Sequence, residues 1–284
     1  MCRPTHSPTR ARCPLSDPTQ RRRKEAARAT GVRDSNSFVR MTTRSMALDY
    51  DNLLVAVPAL QKVFPQSVLW ALLFILTRFV LLRRRTADFA NRVVSFIHAV
   101  VAIYMCVRCL PRWSALIENV GGVNTVEHLE CLTLSLGYFV YDLLYCMLNN
   151  EIENVVHHLF TVGGLASGVI TGRSGPELVG CLFLMEVSNP SLHARFMLRE
   201  LGMKDSLVST LNDLVFALLF LFCRLIVGPP LVWRTIVNES NTYIVKAGAL
   251  GILVVSVMWG WRIIMMIVRT CKKLFGGGKK DKSA

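Results

Sequence analysis

The stretch VVSFIHAVVAIYMCV at residues 93–107 decides the fold class, together with AGALGILVVSVMWGW at 247–261. On a helix, both stretches are hydrophobic around the whole circumference, so neither leaves a polar stripe that would face water. A helix of about 20 mostly apolar residues crosses the hydrocarbon core of a bilayer. Both stretches therefore indicate membrane-spanning helices and not the amphipathic helices of a soluble bundle.

Similar apolar blocks recur along the chain, which is 52% hydrophobic with a mean hydropathy of +0.40. The blocks that approach the length of a span are 66–82, 92–110, 129–148, 155–171, 176–198, 210–228 and 244–268. We therefore predict an all-α, polytopic transmembrane helix bundle of about seven spans. Six spans remain possible, because VGPPLVW at 227–233 could extend the sixth helix, bend it or re-enter the membrane.

Half of the net charge of +14 lies in an N-terminal tail, since residues 1–50 hold eleven Lys and Arg against four Asp and Glu. We predict that residues 1–62 are a disordered basic tail, because the segment is rich in Pro, Ser, Thr and Arg. A transit peptide, a regulatory arm and an over-extended gene model are all compatible with it. This distribution of charge does not indicate a nucleic-acid partner.

Lys and Arg near span ends favour a cytosolic C-terminus by the positive-inside rule. Residues 274–284 then form a basic cytosolic tail, in which Lys280 and Lys282 resemble the di-lysine retrieval signal of endoplasmic reticulum proteins. A basic tail attracted to anionic lipid is the alternative. We expect an integral membrane protein of the endoplasmic reticulum.

Ionisable residues interrupt the apolar spans at four places: Asp142, the pair His157 and His158, Glu186, and Asp213. A charged residue at mid-membrane costs roughly 2.5 to 3.5 kcal/mol on insertion scales. Any one of them could be a structural residue that is satisfied by a hydrogen bond between helices. Their accumulation in neighbouring spans favours a polar intramembrane cavity.

Helical spacing separates the two histidines. Glu153 and His157 are four residues apart and share a face, whereas His158 is turned about 100° away. A carboxylate one turn from an imidazole can orient it and hold its proton, so His157 is the better-supported base. A GxxxG pattern at 164–168 on the same helix predicts that a neighbouring helix approaches closely.

Pro190 predicts a break in the fifth span, within MEVSNP at 185–190. Proline has no N–H to donate, so the carbonyl of Glu186 loses its partner four residues earlier. The break would gather a free carbonyl, the Glu186 carboxylate, Ser188 and Asn189. A structural kink is the alternative interpretation.

Four motifs in sequence resemble the TLC family, which includes the ceramide synthases. They are GYFVYDLLY at 137–145, VVHHLFT at 155–161, MEVSNPSLHARFMLRE at 185–200 and LNDLVFALLFLFCR at 211–224. The resemblance implies a TLC domain at about 83–273, with the first span 66–82 preceding it. It is closest to the small stand-alone members, the subgroup similar to transmembrane protein 136.

Ceramide synthases transfer a fatty acyl group from acyl-CoA to a sphingoid amine, and they pair a double histidine with two downstream acidic residues. The resemblance places His157 and His158 at the histidine positions and Glu186 at the first acidic position. Asn189 occupies the second acidic position, and an amide can neither act as a base nor share a proton. The implied transferase activity therefore lacks one carboxylate.

The resemblance implies a protein that binds or handles lipids in membrane lipid homeostasis, with no cofactor. Membrane lipids are the expected partners, through Asp142, Glu153, His157, His158, Glu186, Asn189 and Asp213. The first alternative is an acyl-CoA-dependent N-acyltransferase, with catalytic His157, His158 and Glu186 and acyl-CoA as co-substrate. The second is a cargo-binding or translocation-assisting protein. No metal centre is predicted, because no ligand spacing favours one.

Overall fold

The computed structural model describes residues 54, 56–110 and 119–275, without the side chains of 266 and 269–275. The tails expected at 1–62 and 274–284 lie mostly outside these residues. The described chain forms eight helices: α1 (Ala56–Leu81), α2 (Ala87–Cys109), α3 (Val126–Leu148), α4 (Ile152–Thr171), α5 (Gly175–Glu186), α6 (Asn189–Glu200), α7 (Leu207–Val237) and α8 (Tyr243–Phe275).

The predicted fold class, an all-α polytopic bundle, is confirmed. Within the described residues, α1, α2, α3, α7 and the Tyr243–Met265 part of α8 are long and apolar enough to cross a membrane. The other two predicted spans correspond to α4, which has 20 residues, and to α5 followed by α6. Large apolar side chains on the outer surfaces of these helices are exposed, as expected for groups that face lipid.

Successive helices alternate in direction, except that α5 and α6 together make one broken span. The other connections therefore gather at two ends of the bundle. At one end, Thr86 before α2 donates from Oγ1 to the Glu200 carboxylate at the end of α6, over 2.6 Å. We call this the basic end, because the turns there carry Arg83–Arg85 and Lys204. At the opposite end, which we call the loop end, Asn238 Nδ2 donates to the Val120 carbonyl over 2.8 Å.

The break predicted from Pro190 is confirmed. Helix α5 ends at Glu186 and α6 begins at Asn189, with Pro190 in the first turn of α6, where its missing N–H costs nothing. A side chain from α7 contacts the break, because Arg224 Nη2 donates to the Met185 carbonyl over 2.6 Å. The break thus places polar backbone and side-chain groups inside the bundle, where they are buried in protein.

Helix α7 continues through the segment whose course the sequence left open. A π-helical turn, Leu221–Val227, connects Leu207–Phe220 to Gly228–Val237, with two prolines in the first turn of the last part. The prolines lack N–H donors, so a regular α-helical ladder cannot continue into them, and a wider turn absorbs the difference. The helix neither stops nor re-enters, and the π-helical turn aims Arg224 inward.

Helix α4 packs between α3 and α8, and small residues set its distance from α8. A Cβ added to Gly248 would lie 3.2 Å from the Phe160 carbonyl oxygen and 3.5 Å from the Gly164 Cα atom. The close approach predicted from the GxxxG pattern therefore occurs at Gly164. It brings the start of α4, with its two histidines, against the side chains of α8.

Candidate functional site

Polar side chains from α2 to α8 line one cavity of about 90 Å³. We call it the polar cavity and define it by Asn91, Tyr138, Asp142, His157, His158, Glu186, Asn189, His193 and Arg224. It lies in the half of the bundle nearest the basic end, because Asn91 and the histidines sit within the first two turns of α2 and α4. Five of the residues predicted from the sequence therefore meet in one place.

Asp142 of α3 is buried in the polar cavity, with 7% of its surface exposed, and its carboxylate has three side-chain partners. Its Oδ1 accepts from Asn91 Nδ2 at 3.2 Å, and its Oδ2 accepts from the Tyr138 hydroxyl at 3.1 Å. His158 Nε2 lies 3.0 Å from the same Oδ2 atom. Tyr141 holds Asn91 in turn, through a hydroxyl donated to its Oδ1 atom over 2.6 Å. The carboxylate is thus fixed from α2, α3 and α4.

This geometry makes His158 the imidazole with an orienting carboxylate. A carboxylate only accepts hydrogen bonds, so Nε2 of a neutral His158 carries the proton and Nδ1 has the lone pair. That Nδ1 atom is buried and has no hydrogen-bond partner among the described residues. His158 can therefore accept a proton at Nδ1 while Asp142 stabilises the resulting cation.

His157 differs from the expectation, because Glu153 does not orient it. Both oxygens of Glu153 accept from Arg262 of α8, at 2.5 and 2.7 Å, and Trp259 Nε1 lies 3.3 Å from one of them. The cation on the facing helix is a stronger partner than a neutral imidazole on the same helix. His157 instead packs its ring against His158 and Trp259, with centroids 5.2 and 5.1 Å away.

Glu186, Asn189 and Arg224 form a second chain of contacts at the helix break. Asn189 Nδ2 donates to Glu186 Oε2 at 3.1 Å, and Asn189 Oδ1 accepts from Arg224 Nη2 at 3.0 Å. An amide performs both functions at once, whereas a carboxylate here could not donate to Glu186. These two hydrogen bonds explain why an amide, and not a carboxylate, suits position 189 in this chain.

Asp213 lies apart from the polar cavity. Its Oδ2 atom is 2.5 Å from Arg195 Nη1, so the pair joins α7 to α6 near the basic end. The structure therefore brings Asp142, His157, His158, Glu186 and Asn189 together, and it places Glu153 and Asp213 in ion pairs outside the cavity lining.

Four residues of the polar cavity were missed in the sequence: Asn91, Tyr138, His193 and Arg224. His98, which contacts residues of the cavity without lining it, was missed as well. His98 is fully buried, stacks on Tyr138 with centroids 3.7 Å apart, and has Nδ1 3.8 Å from Glu186 Oε2. It lies inside VVSFIHAVVAIYMCV, so an ionisable group in the middle of an apolar span was the available signal. Arg224 ends one of the four family motifs and carried the same signal.

One group of side chains within the cavity has ligand types that suit zinc. Asp142, Cys146 and His158 offer atoms that all lie within 4.8 Å of one another. The sequence spacing did not predict this group, because His158 comes from a different helix.

An apolar cavity of about 50 Å³ adjoins the polar one, and the two share Phe139 and His157. It extends between α4, α5 and α8 toward the loop end, and its lining includes Phe160, Gly164, Leu178, Leu182, Val245 and Ile252. The interior of the bundle therefore has a polar cavity and an apolar cavity side by side, with Phe139 and His157 in the lining of both.

Comparison with known proteins agrees with the motifs. The model of the TLC domain matches residues 88–265. TLC domain-containing protein 2 of Danio rerio is 26% identical over 137 residues, which is 47% of this chain and 55% of that protein. TLC domain-containing protein 1 of Mus musculus is 26% identical over 147 residues, 50% of this chain and 58% of that protein. TLC domain-containing protein 4 A of Dictyostelium discoideum is 22% identical over 196 residues, which is 64% of this chain and 75% of that protein.

The chain thus spans little more than half the length of the first two relatives, at 55% and 58%. Membership of the small stand-alone subgroup stays a prediction, since these relatives carry other names. The family model, however, covers more than half of the chain, and its matched residues contain the helices that form the polar cavity. The protein is therefore a multi-pass membrane protein that belongs to the TLC domain family.

Proposed function

We propose that the protein binds lipids inside its helix bundle and handles them in membrane lipid homeostasis. The observation that carries this proposal is the polar cavity, whose buried donors and acceptors adjoin an apolar cavity through Phe139 and His157. An amphiphile has the same two-part chemistry, with a polar head group and an apolar chain. A purely structural bundle would avoid so many buried ionisable groups, because each is costly in a membrane.

Imidazole nitrogens of the cavity that make no hydrogen bond to a described residue support the same proposal. Among the described residues, Nδ1 of His157, His158 and His193 is buried without a hydrogen bond. Buried polar groups without partners are rare in folded proteins and cost about 1 to 3 kcal/mol each. A head group with hydroxyl or amine donors would satisfy these acceptors.

Photoreactive lipid labelling tests the proposal. The full-length protein in lipid nanodiscs is irradiated with a lipid that carries a diazirine in its head group, and labelled protein is measured on a gel. Wild type is expected to label strongly. Alanine at both His157 and His158 is expected to remove most of the labelling, because it deletes two walls of the cavity.

Glu153→Gln is the matched control, since Glu153 lies on the same helix but pairs outward with Arg262. It should label like wild type. Equal labelling of the wild type and of the double histidine variant would reject the polar cavity as the lipid site.

The second candidate function is an acyl-CoA-dependent acyltransferase, and the contact between His158 and Asp142 at 3.0 Å favours it. His158 Nδ1 would take the proton from an amine or hydroxyl nucleophile as that group attacks the thioester carbonyl. The carbon–sulfur bond then breaks, and the thiolate of coenzyme A leaves and takes the proton from the imidazolium. General-base help of this kind contributes roughly 100- to 10,000-fold in rate.

We also propose that the basic end faces the cytosol and that the protein resides in the endoplasmic reticulum. The arginines at 83–85 support this orientation through the positive-inside rule. A glycosylation acceptor fused after Ala284 is expected to stay unmodified, while one inserted in the α7–α8 loop is expected to be glycosylated. The reverse pattern would overturn the orientation.

A further inference from the structure

Arg224 is a buried cation that the bundle holds only in part. It lies on the π-helical turn of α7 and is 3% exposed. Its Nη2 atom donates to the Met185 carbonyl at 2.6 Å and to Asn189 Oδ1 at 3.0 Å. Its guanidinium also lies 4.7 Å from the centre of the Phe220 ring. These contacts fix the position of the side chain.

The remaining donors of Arg224 have no hydrogen-bond partner in the part of the chain that the structure describes. Its Nε and Nη1 atoms are buried and make no hydrogen bond to any described residue. Arginine keeps its charge under all ordinary conditions, so it cannot remove the cost of these donors by losing a proton. Arg224 lines the polar cavity, so a group bound there is positioned to accept from it.

The acidic residues of the cavity are, in contrast, already bonded. Asp142 accepts from Asn91, Tyr138 and His158, and Glu186 accepts from Asn189. The other cation, Arg92, donates from Nε to Asp88 and lies over the Phe196 ring at 4.3 Å. Among these charged groups of the cavity, Arg224 is therefore the one whose donors still lack acceptors. The strongest acceptor for a guanidinium is an oxyanion.

We propose that Arg224 binds the oxyanion of a lipid in the polar cavity, either a head-group phosphate or a fatty-acid carboxylate. This proposal rests on the lipid-binding function and names the class of lipid. Asn189 is a positioning residue in this account, because it holds Nη2 and leaves Nε and Nη1 directed at the ligand.

Binding of matched lipids to the purified full-length protein tests the proposal. The probes are dioleoyl phosphatidic acid, oleic acid and dioleoylglycerol, which carry a phosphate, a carboxylate and no oxyanion. Wild type is expected to bind at least one of the two anionic probes about 10- to 100-fold more tightly than dioleoylglycerol. The tighter of the two anionic probes identifies the oxyanion, and added inorganic phosphate shows whether phosphate alone competes.

Variants of Arg224 assign the preference to this side chain. Arg224→Gln keeps an amide donor but has no charge, so it is expected to lose the preference for the anionic probe. Arg224→Lys should retain part of the preference. Arg234→Gln, an exposed arginine on the same helix, should retain all of it.

Two results would overturn the proposal and leave lipid binding intact. The first is equal binding of all three lipids by the wild type, which would exclude a preference for an oxyanion even if a variant fails to fold. The second is a folded Arg224→Gln protein with an unchanged preference. Wild type that binds none of the three lipids would contradict both this proposal and the lipid-binding function.

Discussion

Asp142→Ala is expected to lower the free energy of unfolding by about 3 to 5 kcal/mol, the range measured when one partner of a buried charged network is removed. The alanine removes the acceptor for Asn91, Tyr138 and His158 together. These groups lie inside a bundle that faces lipid, so water cannot replace the carboxylate as it would at a protein surface. The measurement is equilibrium unfolding in detergent micelles with added denaturing detergent.

The control for this prediction is Glu153→Gln, which removes a carboxylate of the outer surface. Glu153 and Arg262 have side chains that are 46% and 60% exposed, and exposed ion pairs contribute about 0 to 1 kcal/mol. The two variants should therefore differ by more than about 2 kcal/mol. Equal destabilisation would show that Asp142 does not hold the polar cavity together.

Under the acyltransferase candidate, His158→Ala is expected to lower the rate of product formation by about 100-fold or more. The measurement follows transfer of labelled acyl groups from acyl-CoA to long-chain bases by the purified protein. The base is His158 and not His157, because the Asp142 carboxylate lies 3.0 Å from His158 Nε2. Glu153→Gln should retain activity, because its carboxylate contacts Arg262 and Trp259.

The wild-type reaction decides between the two candidate functions. Amide product that disappears in His158→Ala would establish the transferase. A folded wild-type protein that forms no product with any long-chain base tested, but is still labelled by the photoreactive lipid, would support lipid binding and reject the transferase. Activity that survives in His158→Ala but not in His157→Ala would contradict the role that the contact between His158 and Asp142 gives to His158.

Hydropathy alone was sufficient to predict the fold class, because a bilayer requires long apolar helices whatever their sequence. The break at Pro190 was predictable for an equally local reason, the missing N–H. The course of α7 past Gly228 was not, since two prolines can end a helix, kink it or follow a π-helical turn. Only packing against α8 and α5 decides among these, and packing is not visible in one sequence.

The residues of the candidate site were predictable where an ionisable side chain interrupts an apolar span, because burying such a group in a membrane is costly. Asp142, His158 and Glu186 interrupt apolar spans and do meet in one cavity. Their partners were harder to predict, because a contact between helices depends on relative rotation and depth. Glu153 was assigned to His157 by spacing within α4, but Arg262 of α8 faces it and binds more strongly.

The position at which a bound lipid becomes attached tests the central claim most directly. Protein labelled with the head-group diazirine lipid is digested, and the modified residues are identified by mass spectrometry. We predict adducts on cavity residues within 138–158 and 185–193, and their loss in the double histidine variant. Adducts confined to outward-facing residues such as Leu148, Trp233 and Trp261, unchanged in that variant, would show that lipid only surrounds the bundle and does not enter it.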